Sequence, residues 1–286
     1  MIQVLKAYYH LAKPGIIYGN SINTSAGLLF AANGRLPIAL LLKTVVGIGL
    51  VIGSACVFNN YIDRDIDKRM PRTKKRALVT GAIGTRPALI YGAILGLLGF
   101  GTLYYYTNLL TVSLGILGYV DYLIFYAIGK RNSVHGTLIG SISGATPIVA
   151  GYTAVTNDID TAAVLLFVLL VCWQMAHFFA IAMYRHQDYK AAGIPVLPVV
   201  RGHNAAKLQI TIYITLFAIV CGLLTITGYT GFVFIAVMIG ASMWWLWQGF
   251  KLWSAEPAVW GKKMFGYSLV ITLVQAVMLV TGRLLP

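Results

Sequence analysis

The chain carries only eight carboxylates in 286 residues, and three of them fall within five positions, in the run Asn59-Asn60-Tyr61-Ile62-Asp63-Arg64-Asp65-Ile66-Asp67. If helix continues through this run, Asn59, Asp63 and Asp67 recur every four residues and share one face, rotating only about 40° per step. Oxygen ligands on one face suit a hard divalent cation such as magnesium. That ion takes one or two carboxylates from protein and fills its remaining sites with water and substrate phosphate. The plainer reading is a solvated helix end in which Arg64, Lys68 and Arg69 pair with the acids.

A further acid, Asp188, lies in Tyr184-Arg185-His186-Gln187-Asp188-Tyr189-Lys190, so both segments set Asp among Arg and Lys. Asp63, Asp67 and Asp188 with such cations are what a magnesium-diphosphate site needs. The acids hold the metal, Arg grips phosphate through paired hydrogen bonds, and Lys acts as a point charge. Stabilising the charge on departing diphosphate promotes cleavage of an allylic carbon-oxygen bond and leaves a carbocation, which an apolar chamber shields from water. Aromatic faces at Tyr122, Tyr126 and Trp173 can steady that cation, although aromatics in apolar helices commonly serve as packing or interface anchors.

The elements that position these residues are apolar. Hydrophobic residues make up 58%, charged residues 10%, and mean hydropathy is +0.78, far from the quarter-charged composition of a soluble domain. Windows of about 18 residues or more without charge mark spanning helices, and their continuity excludes a transmembrane barrel with its short alternating segments. The expected fold is all-α and polytopic, one domain over residues 1–286 around a central cavity. Nine spans are read at 15–33, 38–62, 87–106, 109–128, 137–156, 162–184, 208–229, 231–250 and 265–283. Nineteen of the 22 Lys and Arg fall in the segments on one side, leaving only Arg35, Lys43 and Arg283 elsewhere. The positive-inside rule therefore puts the amino terminus in the cytoplasm and the carboxyl terminus in the periplasm. The net charge of +14 follows from that bias and faces anionic lipid rather than nucleic acid. The first fifteen residues lack the features of a cleavable signal peptide, so span one is its own insertion signal. Cys56, Cys172 and Cys221 lie inside spans and indicate neither a disulfide framework nor a zinc site. Gly140, Gly144 and Gly151 permit close helix approach in span five.

Two acid-bearing loops, each after an even-numbered span and four spans apart, hint at an internal duplication. The apolar stretch 193–200 is broken by Gly193, Pro195 and Pro198, so it is expected to lie along the interface or cap a cavity. His177, an ionisable group within a span, faces a ligand or serves as a hydrogen-bonded structural residue. A cation-coupled transporter using the acids as ion ligands is the alternative from another class. Its sites lie near the midplane, whereas Asp63, Asp67 and Asp188 fall at span ends.

At these motifs the chain resembles the protohaem IX farnesyltransferases (haem O synthases) of the UbiA-type intramembrane prenyltransferase superfamily. The matching blocks are Cys56 to Asp67 with Arg72-Thr73 and Arg76, then Ala192 to Val200. Weaker support comes from Lys13-Pro14-Gly15-Ile16-Ile17, Lys130-Arg131, Gly136 to Ser141, and Trp173-Gln174-Met175 with His177. The resemblance implies transfer of farnesyl from farnesyl diphosphate to a vinyl group of haem B, with water supplying a hydroxyl, to give haem O. It further implies a bacterial inner membrane setting, with haem A synthase or terminal oxidase assembly downstream. Carried over residue by residue, Asn59, Asp63, Asp67 and Asp188 bind magnesium, and Asp63, Asp67, Asp188 and Lys130 are catalytic. Arg72, Arg76 and Arg185 join Lys130 as phosphate partners. Asn60, Arg64, Arg131, Tyr126, Trp173 and His177 complete the substrate-binding set. Tyr184 stands where quinone-type relatives carry a second acid, which leaves Asp188 alone in its loop and speaks against an aromatic quinone precursor as acceptor. Ala176 stands where Pro is common in the family.

Overall fold

The computed structural model describes residues 2–282, and every regular element within them is helical. After α1 (Ile2–Leu11) the chain forms α2 (Pro14–Ala32), α3 (Ile38–Ile62), the short α4 (Arg64–Asp67) and α5 (Ala77–Thr80), and α6 (Thr85–Tyr106). Next come α7 (Leu109–Val120), a π turn (Asp121–Phe125) and α8 (Tyr126–Asn132), which run on as one rod, then α9 (Gly136–Thr156) and α10 (Thr161–Tyr184). The short α11 (His186–Ala192) and α12 (Leu197–Val200) precede α13 (Gly202–Ile226), α14 (Phe232–Lys251) and α15 (Pro257–Thr281).

Among the described residues, the long elements reproduce the nine predicted spans, and eight of them are long and apolar enough to cross a membrane. The chain is a multi-pass membrane protein. The ninth, α2, falls short on composition because Asn20, Ser21, Asn23, Thr24 and Ser25 occupy its middle. Asn23 and Thr24 are buried and bond back to the carbonyls of Gly19 and Asn20. Such bonds inside a helix satisfy polar side chains where water is absent.

Several ends differ from expectation. The seventh long helix begins at Gly202 rather than 208 and the ninth at Pro257 rather than 265. Proline fits a first helical position because its fixed φ is preset and its missing N–H leaves nothing unpaired. The fourth rod continues to Asn132, so Lys130 and Arg131 stand in its last turn instead of a loop. Cations are favoured there by the negative end of the helix dipole. The predicted end of the last span, 283, lies outside the described residues.

Contact between α2 and α9 depends on glycine. A methyl at Gly27 would land on the Ile148 carbonyl oxygen, and one at Gly151 on that of Thr24. The succession of packed helices α2, α3, α6 recurs as α9, α10, α13, four spans later, which fits the duplication read from the loops. Pro147 interrupts α9, and the Ser143 carbonyl that would have taken its N–H accepts from Thr146 Oγ1 at 2.8 Å instead. One turn earlier, Asp121 on the π turn accepts the Ser143 backbone N–H at 3.0 Å, tying α9 to the α7–α8 rod.

The two acid-bearing loops meet. Ile66 and Met70 from the first pack with Ala192 and Ile194 from the second, flanked by Tyr189 and Val196. The broken segment 193–200 thus closes against the other loop, and Val196 also lines the internal cavity described next.

Candidate active site

A cavity of ≈ 410 Å³ is enclosed by α2, α3, the α7–α8 rod, α9, α10 and α15. Most of its wall is apolar or glycine. At the end bearing the acids it is lined by Cys56, Tyr122, Tyr126, Lys130 and Tyr189, and further along α10 by Trp173, Gln174 and His177.

The acid run keeps its helical register although α3 ends at Ile62. The N–H of Asp63 bonds the Asn59 carbonyl at 2.9 Å and that of Asp67 bonds the Asp63 carbonyl at 2.8 Å, so the three side chains stay on one face. All three are buried, at 2%, 3% and 4% exposure. Buried carboxylates at a helix C-terminus oppose the dipole and require partners. Lys130 reaches from the cavity wall to bond Asp63 Oδ2. Arg76 bonds Asp67 Oδ2 at 2.6 Å. Arg131 forks onto both oxygens of Asp65 at 2.8 Å each, caps the Ile62 carbonyl at 2.7 Å, and lies 3.7 Å from Asp63 Oδ1. The Arg131 guanidinium holds the Asp65 carboxyl well below the usual carboxylate range.

Asn59 Oδ1 receives Lys13 Nζ at 2.7 Å and the Tyr122 hydroxyl at 3.3 Å. Lys13 holds a left-handed backbone, φ 53°, just before α2. Burial lowers its amine to about 8, with Arg76 and Lys130 acting in the same direction and Cys56 and Asp63 against it. Tyr189 connects the second loop to this cluster. Burial pushes its phenol up to about 12, with Tyr126 and Asp188 raising it and Arg72 and Lys130 lowering it.

The structure therefore gathers Asn59, Asp63, Asp67, Arg76, Lys130 and Arg131, while Asp188 stands next to the cavity-lining Tyr189 on α11. Tyr126, Trp173 and His177 lie on the cavity wall. Three candidates stand apart. Arg64 is exposed and lies over the Tyr61 ring at 4.1 Å. Asn60 turns to the α1 end, donating to the Leu11 carbonyl at 2.8 Å and the Cys56 carbonyl at 3.0 Å. Arg185 lies over Tyr184 at 4.2 Å.

Oxygen donors at Asn59, Asp63, Asp67 and Asp188 suit magnesium. Asp63 Oδ1 is buried without a hydrogen-bond partner, so this face keeps one carboxylate oxygen with capacity for a cation. Among the described residues no three His, Cys, Asp or Glu side chains are close enough to hold a metal ion by themselves.

Sequence reading gave no role to Lys13, Tyr189 or Ser268. Lys13 stood in plain view as a cation directly before a helix-starting proline. Its partner Asn59, however, is 46 residues away.

The fold and cavity define a polytopic helical membrane protein with a largely apolar chamber that adjoins, through Lys130, a cluster of buried acids and cations. The UbiA prenyltransferase family model matches residues 21–270. The protoheme IX farnesyltransferase of Cronobacter sakazakii is 46% identical over 285 residues, covering 99% of this chain and 97% of that one. That of Escherichia coli O1:K1 is 45% identical over 287 residues, with 99% and 96% covered. Among solved structures, a UbiA homolog from Archaeoglobus fulgidus bound to GPP and Mg2+ superposes with a TM-score of 0.72 at 14% identity, covering 96% of this chain and 99% of that one. The chain belongs to the UbiA prenyltransferase family.

Proposed function

We propose that this protein transfers the farnesyl group of farnesyl diphosphate to a vinyl group of haem B, with addition of water, giving haem O and diphosphate. The observation that carries this reading is the contact of Lys130, a cavity-wall residue, with the buried Asp63. It joins an apolar chamber to a cluster of acids and cations, as a diphosphate with a hydrocarbon tail requires. The near full-length relatives named for protoheme IX farnesyl transfer supply the acceptor.

In this reading Asn59, Asp63, Asp67 and Asp188 hold magnesium, which when bound supplies positive charge to the departing diphosphate. Lys130, Arg72 and Arg76 neutralise the remaining phosphate charge. Tyr122 and Tyr126, stacked with centroids 5.6 Å apart, offer ring faces to the allylic cation. Trp173 and His177 form the acceptor side. The amino terminus and both acid-bearing loops face the cytoplasm of a bacterial inner membrane, the side of the basic residues.

The test is to incubate membranes containing the protein with haem B, farnesyl diphosphate and magnesium and identify the pigment by mass. A product heavier than haem B by one farnesyl group and one hydroxyl is expected, the second hydrogen of the water leaving as a proton. Unchanged haem B, or prenylation of an added aromatic acid instead, overturns the proposal.

A further inference from the structure

His177 is 8% exposed and lines the cavity, and its Nδ1 lies 2.7 Å from the hydroxyl oxygen of Ser268 on α15. That hydroxyl has a single hydrogen, and it donates to the Phe265 carbonyl at 2.6 Å. A carbonyl only accepts, so the Ser268 oxygen accepts from His177 and the imidazole proton sits on Nδ1. Nε2 then carries a lone pair and makes no hydrogen bond with the protein. The ring is held on its flanks as well. Trp173 stacks on it at 4.7 Å and 22°, and Phe265 packs at 5.0 Å. The Trp173 indole N–H is itself fixed to the Ser268 carbonyl at 2.8 Å. Ser268 thus anchors both aromatic residues of this wall from one position, and it is fully buried.

A neutral imidazole with one nitrogen tied to the protein and the other free is the arrangement that ligates iron. We propose that His177 Nε2 is the axial ligand to the iron of the haem acceptor, and that Ser268 is the positioning residue that fixes its tautomer and aim. This rests on the haem reading above. Its chemistry suits a substrate rather than a resident cofactor. A carboxylate on Nδ1 would raise the basicity of the ligand, whereas a serine hydroxyl accepts weakly. The iron bond is correspondingly easy to break when product leaves.

The experiment is a titration of the purified full-length protein with ferric haem B, read by absorbance and electron paramagnetic resonance. Farnesyl diphosphate binding and thermal unfolding serve as controls of fold. The wild type should show a nitrogenous axial ligand. His177→Gly should lose that signature and regain it with added imidazole. Ser268→Ala should weaken haem binding by about tenfold, as loss of an outer hydrogen bond to a metal ligand does, while Ser268→Thr keeps the wild-type spectrum. A wild-type signature retained in His177→Gly overturns the ligand, and wild-type haem affinity and spectrum in Ser268→Ala overturn the positioning role. Failure of the wild type to bind haem at all overturns the acceptor itself. Binding without a nitrogenous ligand overturns only the present inference.

Discussion

Lys130 and Asp63 form the hinge between chamber and charge cluster: the lysine stands on the cavity wall and its ammonium is bonded to a carboxylate that is 3% exposed. The lysine also lies 5.7 Å from the Tyr126 ring centroid. Replacing Lys130 by Ala strips Asp63 of its nearest cation and removes a phosphate contact. Farnesyl diphosphate affinity should fall about thirtyfold, near 2 kcal/mol, while haem affinity changes less than twofold. Calorimetric titration with each ligand separately decides it, and equal losses would count against the role.

Asp63→Asn and Asp188→Asn alter charge with little change in volume. Each should reduce turnover at least about a hundredfold, roughly 3 kcal/mol of lost charge stabilisation, with the protein still inserted and folded. Rates of product formation by purified variants in magnesium check this, and full turnover in either variant would remove that residue from the site.

Chelation of divalent ions should abolish transfer. Magnesium or manganese should restore it better than calcium, because calcium prefers longer bonds of about 2.3–2.6 Å and more ligands. Activity that persists after exhaustive dialysis against chelator would exclude the metal.

Gly27→Leu or Gly151→Leu puts atoms where backbone carbonyls of the partner helix already stand. Overpacking of this kind costs about 1–3 kcal/mol. Both variants should lower the unfolding temperature in detergent by several degrees, whereas Gly101→Leu, which meets nothing nearby, should not.

The Asp65–Arg131 pair makes stability depend on acidity. Arg131 depresses the Asp65 carboxyl from its ordinary 3.8, so the pair's contribution is complete above that value and fades as pH drops below it. The group is largely exposed, so the contribution is under about 1 kcal/mol. Asp65→Asn should unfold slightly earlier than wild type at neutral pH, and the gap in Tm should close in acid.

Much of this was legible in the sequence because a spanning helix is a matter of length and hydropathy. Spans such as 38–62 matched to the residue. The Asn59, Asp63 and Asp67 face was equally readable, since helical spacing is local. Less local facts were hidden. The partners Ser268 and His177 are 91 residues apart, and Lys13 and Asn59 are 46 apart. Arg64, counted with the substrate residues from its place in the acid run, turns out over Tyr61 because the face bearing Asn59, Asp63 and Asp67 points the other way. The early start of α15 escaped because Lys262 and Lys263 read as loop charge, although Pro257 marks a helix start.

The polar middle of α2 also bears on biogenesis. Its 19 residues are too poor in apolar side chains to hold securely in lipid alone, and its glycine contact with α9 supplies the missing protein surface. The earliest of the nine long helices is therefore the one whose glycine-bearing partner is made four spans later. Until the fifth span is made, α2 has only α3 of its partners α3, α9 and α15 beside it, so its polar middle meets its full protein surroundings late in synthesis.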